Sequence, residues 1–129
     1  NNITLNFLNN PNQVNSDKIE KATRIAQLDS FISSLKNKNE QIIGEEGNRL
    51  SGGQKQRIGI ARSIYADRQI IIFDEATSAL DEITENNFIK SLLSEYDNKT
   101  IIFVTHKKNL IKNFDVIFEI DDNGKLLKK

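Results

Sequence analysis

One run of residues constrains the fold more than any other: Ile70-Ile71-Ile72-Phe73, followed directly by Asp74-Glu75. Four consecutive apolar residues, three of them β-branched, predict a short strand buried on both faces, as in a parallel sheet. Two carboxylates then end it. In open α/β sheets the carboxyl edge of the strands is where ligands sit. Successive strand residues point in opposite directions, so the two acids can do different work. One can hold Mg²⁺ through water, and the other can orient or deprotonate an attacking water.

The segments around this strand set the class. Thr100-Ile101-Ile102-Phe103-Val104 reads as a second buried strand and Val116-Ile117-Phe118-Glu119-Ile120 as a third. Between the first two, residues 82–96 carry Ile83, Phe88, Ile89, Leu92 and Leu93 at helical spacing. A short helix is expected over 107–111. Asp122-Asn123-Gly124 makes a turn from which residues 125–127 pair back as a hairpin. Upstream, Ser16 is the expected N-cap of a helix through Ile19, Ala22, Ile25, Ala26 and Leu28, and Asp29 caps a second, shorter one. Residues 36–40 read as a polar loop. Ile58, Ile60, Ala61 and Ile64 form the apolar face of a helix that ends near Tyr65. A mainly helical first half and an alternating second half predict an α/β fold. Three core strands would leave a sheet edge or face uncovered, which points to a missing partner half.

Composition removes other classes. The 129 residues hold 18 basic and 18 acidic side chains, so no strongly basic surface suits nucleic acid. There is no cysteine, which excludes disulfides, thiolate metal sites and cysteine nucleophiles. No apolar run approaches the ~20 residues of a membrane-spanning helix. There is also no methionine. Asparagine is a poor second residue for initiator removal, so a piece of a longer chain is expected.

Two further motifs carry chemistry. In Ser51-Gly52-Gly53-Gln54 two glycines let the backbone approach a ligand without Cβ collision, at the start of a helix with unpaired N–H groups. Such a terminus suits a phosphate, with the Ser51 hydroxyl and Gln54 amide as added donors. Gly47 and Gly52 are spaced as in a P-loop, but Gly53 and Gln54 stand where that loop needs Lys and Ser or Thr. His106, the single histidine, follows the second strand at the same carboxyl edge.

Taken together these residues resemble the ATP-binding cassette of ABC transporters, most closely the exporter type. Leu50-Ser51-Gly52-Gly53-Gln54-Lys55-Gln56-Arg57 is similar to the family's complete signature motif. Residues 70–75 resemble its Walker B strand with the catalytic glutamate, Ala76-Thr77-Ser78-Ala79-Leu80-Asp81 its D-loop, and Thr105-His106 its switch histidine. Gly44-Glu45-Glu46-Gly47 is similar to the exporter segment that touches the coupling helices of the transmembrane domain. The family's Walker A loop, adenine-stacking aromatic and Q-loop glutamine have no counterpart here.

The resemblance implies a partial P-loop NTPase-like cassette: a helical subdomain over residues 1–65 and the C-terminal half of the sheet core over 66–129. It implies an ATPase driving an exporter at the cytoplasmic face of the plasma membrane, with ATP and Mg²⁺ bound between two head-to-tail cassettes. Leu50, Ser51, Gly52, Gly53 and Gln54 would cap the nucleotide held by the partner cassette. Asp74 would support Mg²⁺, Glu75 polarise water, His106 contact the γ-phosphate, and Asp81 cross the dimer interface. A non-transport ABC ATPase and a truncated, non-catalytic half-cassette are the rival readings. Without a Walker A loop, the 129 residues alone are expected to be inactive.

Overall fold

The computed structural model describes residues 15–34, 50–96 and 98–129. The expectations placed on residues 1–14 and 36–47, including Gly44–Gly47, fall outside them. The described elements are α1 (Ser16–Ile25), α2 (Asp29–Ser33), α3 (Gly52–Tyr65), β1 (Ile70–Asp74), α4 (Glu82–Glu95), β2 (Thr100–Val104), α5 (Lys108–Ile111), β3 (Phe118–Ile120) and β4 (Leu126–Lys128).

The centre is a β1–α4–β2 unit. β1 and β2 pair in parallel, with Ile70 opposite Thr100 and Asp74 opposite Val104. Parallel strands require a crossover, and α4 supplies it. Phe88, Ile89 and Leu92 on α4 are fully buried against the sheet's covered side. There Phe73 meets Phe88 edge-on at 5.7 Å and Phe103 at 5.8 Å. Fully burying side chains of this kind contributes about 1.5–3 kcal/mol each.

The core is continuous across residue 65. Ile19, Ala22 and Ile25 of α1 and Ile58, Ala61 and Ile64 of α3 belong to the same buried cluster as Ile71, Phe73 and Phe88. Polar links reinforce it: Arg24 pairs with Glu95 at 2.8 Å, and Lys21 Nζ donates to the Glu95 carbonyl at 3.1 Å.

The structure departs from the sequence reading in several places. Asn15, not Ser16, caps α1, its Oδ1 accepting from the Lys18 N–H at 2.9 Å. Asparagine and serine cap about equally well, so adjacency alone could not choose. Asp29 is the first residue of α2, whose N-cap Leu28 makes no side-chain capping bond. Ile83 is exposed. β1 and β2 are not buried on both faces: Ile71 and Phe73 face the core, while Ile70 is 58% and Ile72 63% exposed. An apolar run fixes only that a strand is tolerated in the interior, not how many faces something covers. The third strand does not join the parallel sheet among the described residues. It shortens to β3 and pairs antiparallel with β4 across the expected turn, where Gly124 takes a φ of +77° that favours glycine.

Candidate functional site

Two groups of candidate residues sit at opposite ends of one short segment, residues 75–81. The first is at the rim of the parallel sheet. Glu75 leaves β1 with a φ of +46°, while its N–H still donates to the Val104 carbonyl at 3.0 Å. Left-handed backbone at a non-glycine residue costs about 1–3 kcal/mol and is tolerated where the surroundings enforce it. The turn aims the carboxylate at β2: His106 Nε2 lies 3.0 Å from Glu75 Oε1. The histidine side chain is 93% exposed and the glutamate 47%, so a ligand can reach both.

Asp74 is the last paired residue of β1 and is exposed. Among the described residues no group of three or more His, Asp and Glu side chains forms a preassembled metal cage. Mg²⁺ needs none, because it is usually held by one or two carboxylates together with substrate phosphates and water. A lone exposed carboxylate at a strand end fits that mode.

The second group surrounds the start of α3. Ser51 is the N-cap, and a capping box closes there: Gln54 N–H donates to Ser51 Oγ at 3.2 Å, and Ser51 N–H donates to Gln54 Oε1 at 2.9 Å. The box uses the acceptor oxygens of both side chains. Their donors, the Ser51 hydroxyl and the Gln54 amide N–H₂, take no part in it. The first turn also presents the Gly52 and Gly53 N–H groups, which have no carbonyl partner within a helix. Such a terminus can receive an anion at its positive dipole end.

Ser51, Gly52, Gly53 and Arg57 form one wall of an open cleft of about 390 Å³, and Ala79, Leu80, Asp81 and Thr84 form the other. Arg57 is tied behind the cleft, its Nη1 donating to the Gln27 carbonyl at 2.6 Å and its Nε to the Gly53 carbonyl at 3.4 Å. Asp81 caps α4. Its Oδ1 accepts from the Thr84 N–H at 2.9 Å and its Oδ2 from the Thr84 hydroxyl at 2.7 Å. Those bonds, the backbone one foremost, hold its carboxyl below the ordinary aspartate range.

The structure therefore places Asp74, Glu75 and His106 at the sheet rim, and Ser51, Gly52, Gly53 and Asp81 around the cleft. Leu50 packs against the core, and Gln54 closes the capping box. Gln56, not singled out from the sequence, joins the cleft walls: its Nε2 donates to Ser78 Oγ at 2.7 Å and its Oε1 accepts from the Ala79 N–H at 2.9 Å. Its position in the run Gln54–Arg57 was the one available signal, and it said nothing about a contact twenty residues away.

The sequence pattern of the family described as ABC transporter matches residues 2–78. An ATP-dependent lipid A-core flippase of Blochmanniella pennsylvanica is 44% identical over 88% of this chain, and the matched part is 19% of that protein. The alpha-hemolysin translocation ATP-binding protein HlyB of Escherichia coli O157:H7 is 42% identical over 86% of this chain and 16% of its own length. Among solved structures, a bacterial Atm1-family ABC exporter with ATP bound superposes with a TM-score of 0.75 at 33% identity, covering 83% of this chain and 19% of that one. The chain thus spans less than a fifth of the length of these relatives. A parallel sheet rimmed by Asp74, Glu75 and His106, a glycine-opened helix facing the segment that follows, and relatives that are exporters lead to one assignment: the chain belongs to the ABC transporter family and has the fold of its α/β cassette.

Proposed function

We propose that this chain is part of the ATP-hydrolysing cassette of an ABC exporter. The observation that carries the reading is the Glu75–His106 pair at the sheet rim, joined through residues 75–81 to the Ser51–Gly53 helix terminus. Neither group alone would surround a triphosphate. Two cassettes packed head to tail would bring the rim of one against the helix terminus of the other.

In that assembly Glu75 accepts a proton from the water that attacks the γ-phosphorus. A new P–O bond forms, the bond to the bridging β-phosphate oxygen breaks, and ADP and phosphate result. His106 holds Glu75 by its Nε2 contact and reaches the γ-phosphate. The Gly52 and Gly53 N–H groups, with the Ser51 hydroxyl and Gln54 amide, neutralise γ-phosphate charge on nucleotide seated in the partner cassette. Asp74 would hold Mg²⁺, which when bound would supply neutralisation of phosphate charge. Asp81, set at the cleft by its own capping bonds, faces the partner cassette. Residues 1–65 serve as the helical subdomain, 66–129 as the C-terminal half of the core.

No helix among the described residues is long and apolar enough to cross a membrane. The cassette reads as a cytoplasmic-face subunit region that meets the coupling helices of a transmembrane domain. ATP turnover by the full-length transporter carrying this sequence tests the proposal. Glu75→Gln should abolish turnover and leave an ATP-stabilised closed dimer. Wild-type hydrolysis by that variant would remove Glu75 from the base position.

A further inference from the structure

Lys107 and Glu85 form an ion pair that the proposed chemistry does not use. Lys107 Nζ lies 2.9 Å from Glu85 Oε1 and donates to the Thr77 carbonyl at 3.3 Å. The Glu85 side chain is 1% exposed, and it is the one buried carboxylate among the described residues. Burying a carboxylate is costly unless it is paired and hydrogen-bonded, and even then the pair adds little net stability. Two apolar side chains would fill the same volume at no such cost.

The three contacts join three pieces of the site. Glu85 belongs to the first turn of α4. Thr77, itself buried, lies in the segment that begins at Glu75 and ends at the cleft. Lys107 is the residue after His106, and its own N–H donates to Thr105 Oγ1 at 3.0 Å. His106, its side chain 93% exposed, lies between Thr105 and Lys107, which that bond joins. On the far side, Gln56 fastens the same 75–81 segment to α3 through Ser78 and Ala79.

We propose that Lys107 and Glu85 are positioning residues that fix the histidine loop to the 75–81 segment, and so register His106 with Glu75 and with the helix terminus across the cleft. The inference rests on the cassette reading above and adds a specific device to it: a strut, buried at its Glu85 end, whose function is alignment.

The test uses the full-length transporter and compares thermal stability with the kcat and KM of ATP hydrolysis. Lys107→Met alone should lower both stability and kcat, because it strands Glu85. Lys107→Met combined with Glu85→Leu should restore the melting temperature yet keep kcat down by about 10- to 100-fold with KM for ATP nearly unchanged, the range expected when a reacting group is misplaced by about an ångström. Lys107→Arg, which can reach both oxygens, should retain turnover. A double variant that recovers kcat along with stability would overturn the proposal, as would wild-type kcat in Lys107→Met. The Glu75→Gln control separates the two failures. If wild type is active and Glu75→Gln is not, normal turnover in the Lys107 variants sinks only the strut. If wild type has no ATPase activity, both readings fall.

Discussion

A Cβ placed on Gly53 would stand 3.0 Å from the carbonyl oxygen of Ala79, whereas one on Gly52 would meet only the Ala79 Cβ, at 3.7 Å. The paired glycines of the helix terminus therefore have different constraints. Gly53 allows the 75–81 segment to lie directly on α3; Gly52 is exposed toward the cleft mouth. Gly53→Ala has to push backbone, not a flexible side-chain end, and overpacking of this kind costs about 1–3 kcal/mol. Gly52→Ala makes an ordinary van der Waals contact and should leave stability unchanged or slightly raised. Thermal unfolding of the two single variants checks this, and equal losses would mean that the segment is not held against Gly53.

Gly59 gives the opposite expectation. It lies in the middle of α3, exposed, with nothing within 4 Å of an added Cβ. Alanine there reduces the freedom of the unfolded chain and removes nothing from the folded one, so Gly59→Ala should stabilise by about 0.5–1 kcal/mol. A destabilised Gly59→Ala protein would show that another surface packs on that face of the helix.

These glycines mark what the sequence could and could not reveal. The strand ending in Asp74-Glu75, the helix start after Ser51 and the turn at Gly124 follow from neighbouring residues, because strand edges, helix starts and tight turns are decided within a few positions. Hence the α/β class and the separate candidate groups were readable in one dimension. The contacts that make them one site were not. Gln56 meets Ala79 across 23 positions and Lys107 meets Glu85 across 22, and no periodicity encodes such pairs. Val116–Ile120 looked like a third core strand for the same reason: a strand's composition does not name its partner. Likewise the exposure of Ile70 and Ile72 depends on what covers the sheet, which lies beyond the strand's own residues.

The chemistry of the cleft predicts the behaviour of the 129 residues on their own. In the cassette reading the helix terminus at Ser51 and the acids at the sheet rim would contact a γ-phosphate and its water, but the sequence has no P-loop to cradle the remaining phosphates. Phosphoryl transfer depends on positioning and charge neutralisation, and half of both is absent. Calorimetric titration with ATP and Mg²⁺ should give no saturable heat, and phosphate release should stay at the uncatalysed rate. Turnover by the purified polypeptide that disappears in Glu75→Gln would reverse this expectation.

Tyr96 makes the alkaline limit of the fold predictable. Its hydroxyl is buried and donates to the Ile64 carbonyl at 2.8 Å. Burial, followed by the charge of Asp67, pushes its pKa up to about 12. An unfolded chain releases the same proton near about 10. Between those values the unfolded state holds fewer protons than the native one, so stability falls as pH rises. The contribution is complete below about 10 and gone above about 12, a loss on the order of 2 kcal/mol. Tyr96→Phe should cost about 1 kcal/mol near neutral pH for the missing hydrogen bond, a moderate loss because the Ile64 carbonyl still accepts from the Asp67 N–H at 3.0 Å. Lys21 and Lys99 sit 5.4 and 5.1 Å from the ring centroid. Phenylalanine keeps that ring and with it both cation–π contacts. Denaturant unfolding of both proteins near neutral pH and at about pH 11 should therefore show the gap between them closing or reversing, because only the wild type loses its phenol proton on unfolding. A gap that stays constant across that range would mean that the Tyr96 hydroxyl is not buried against Ile64.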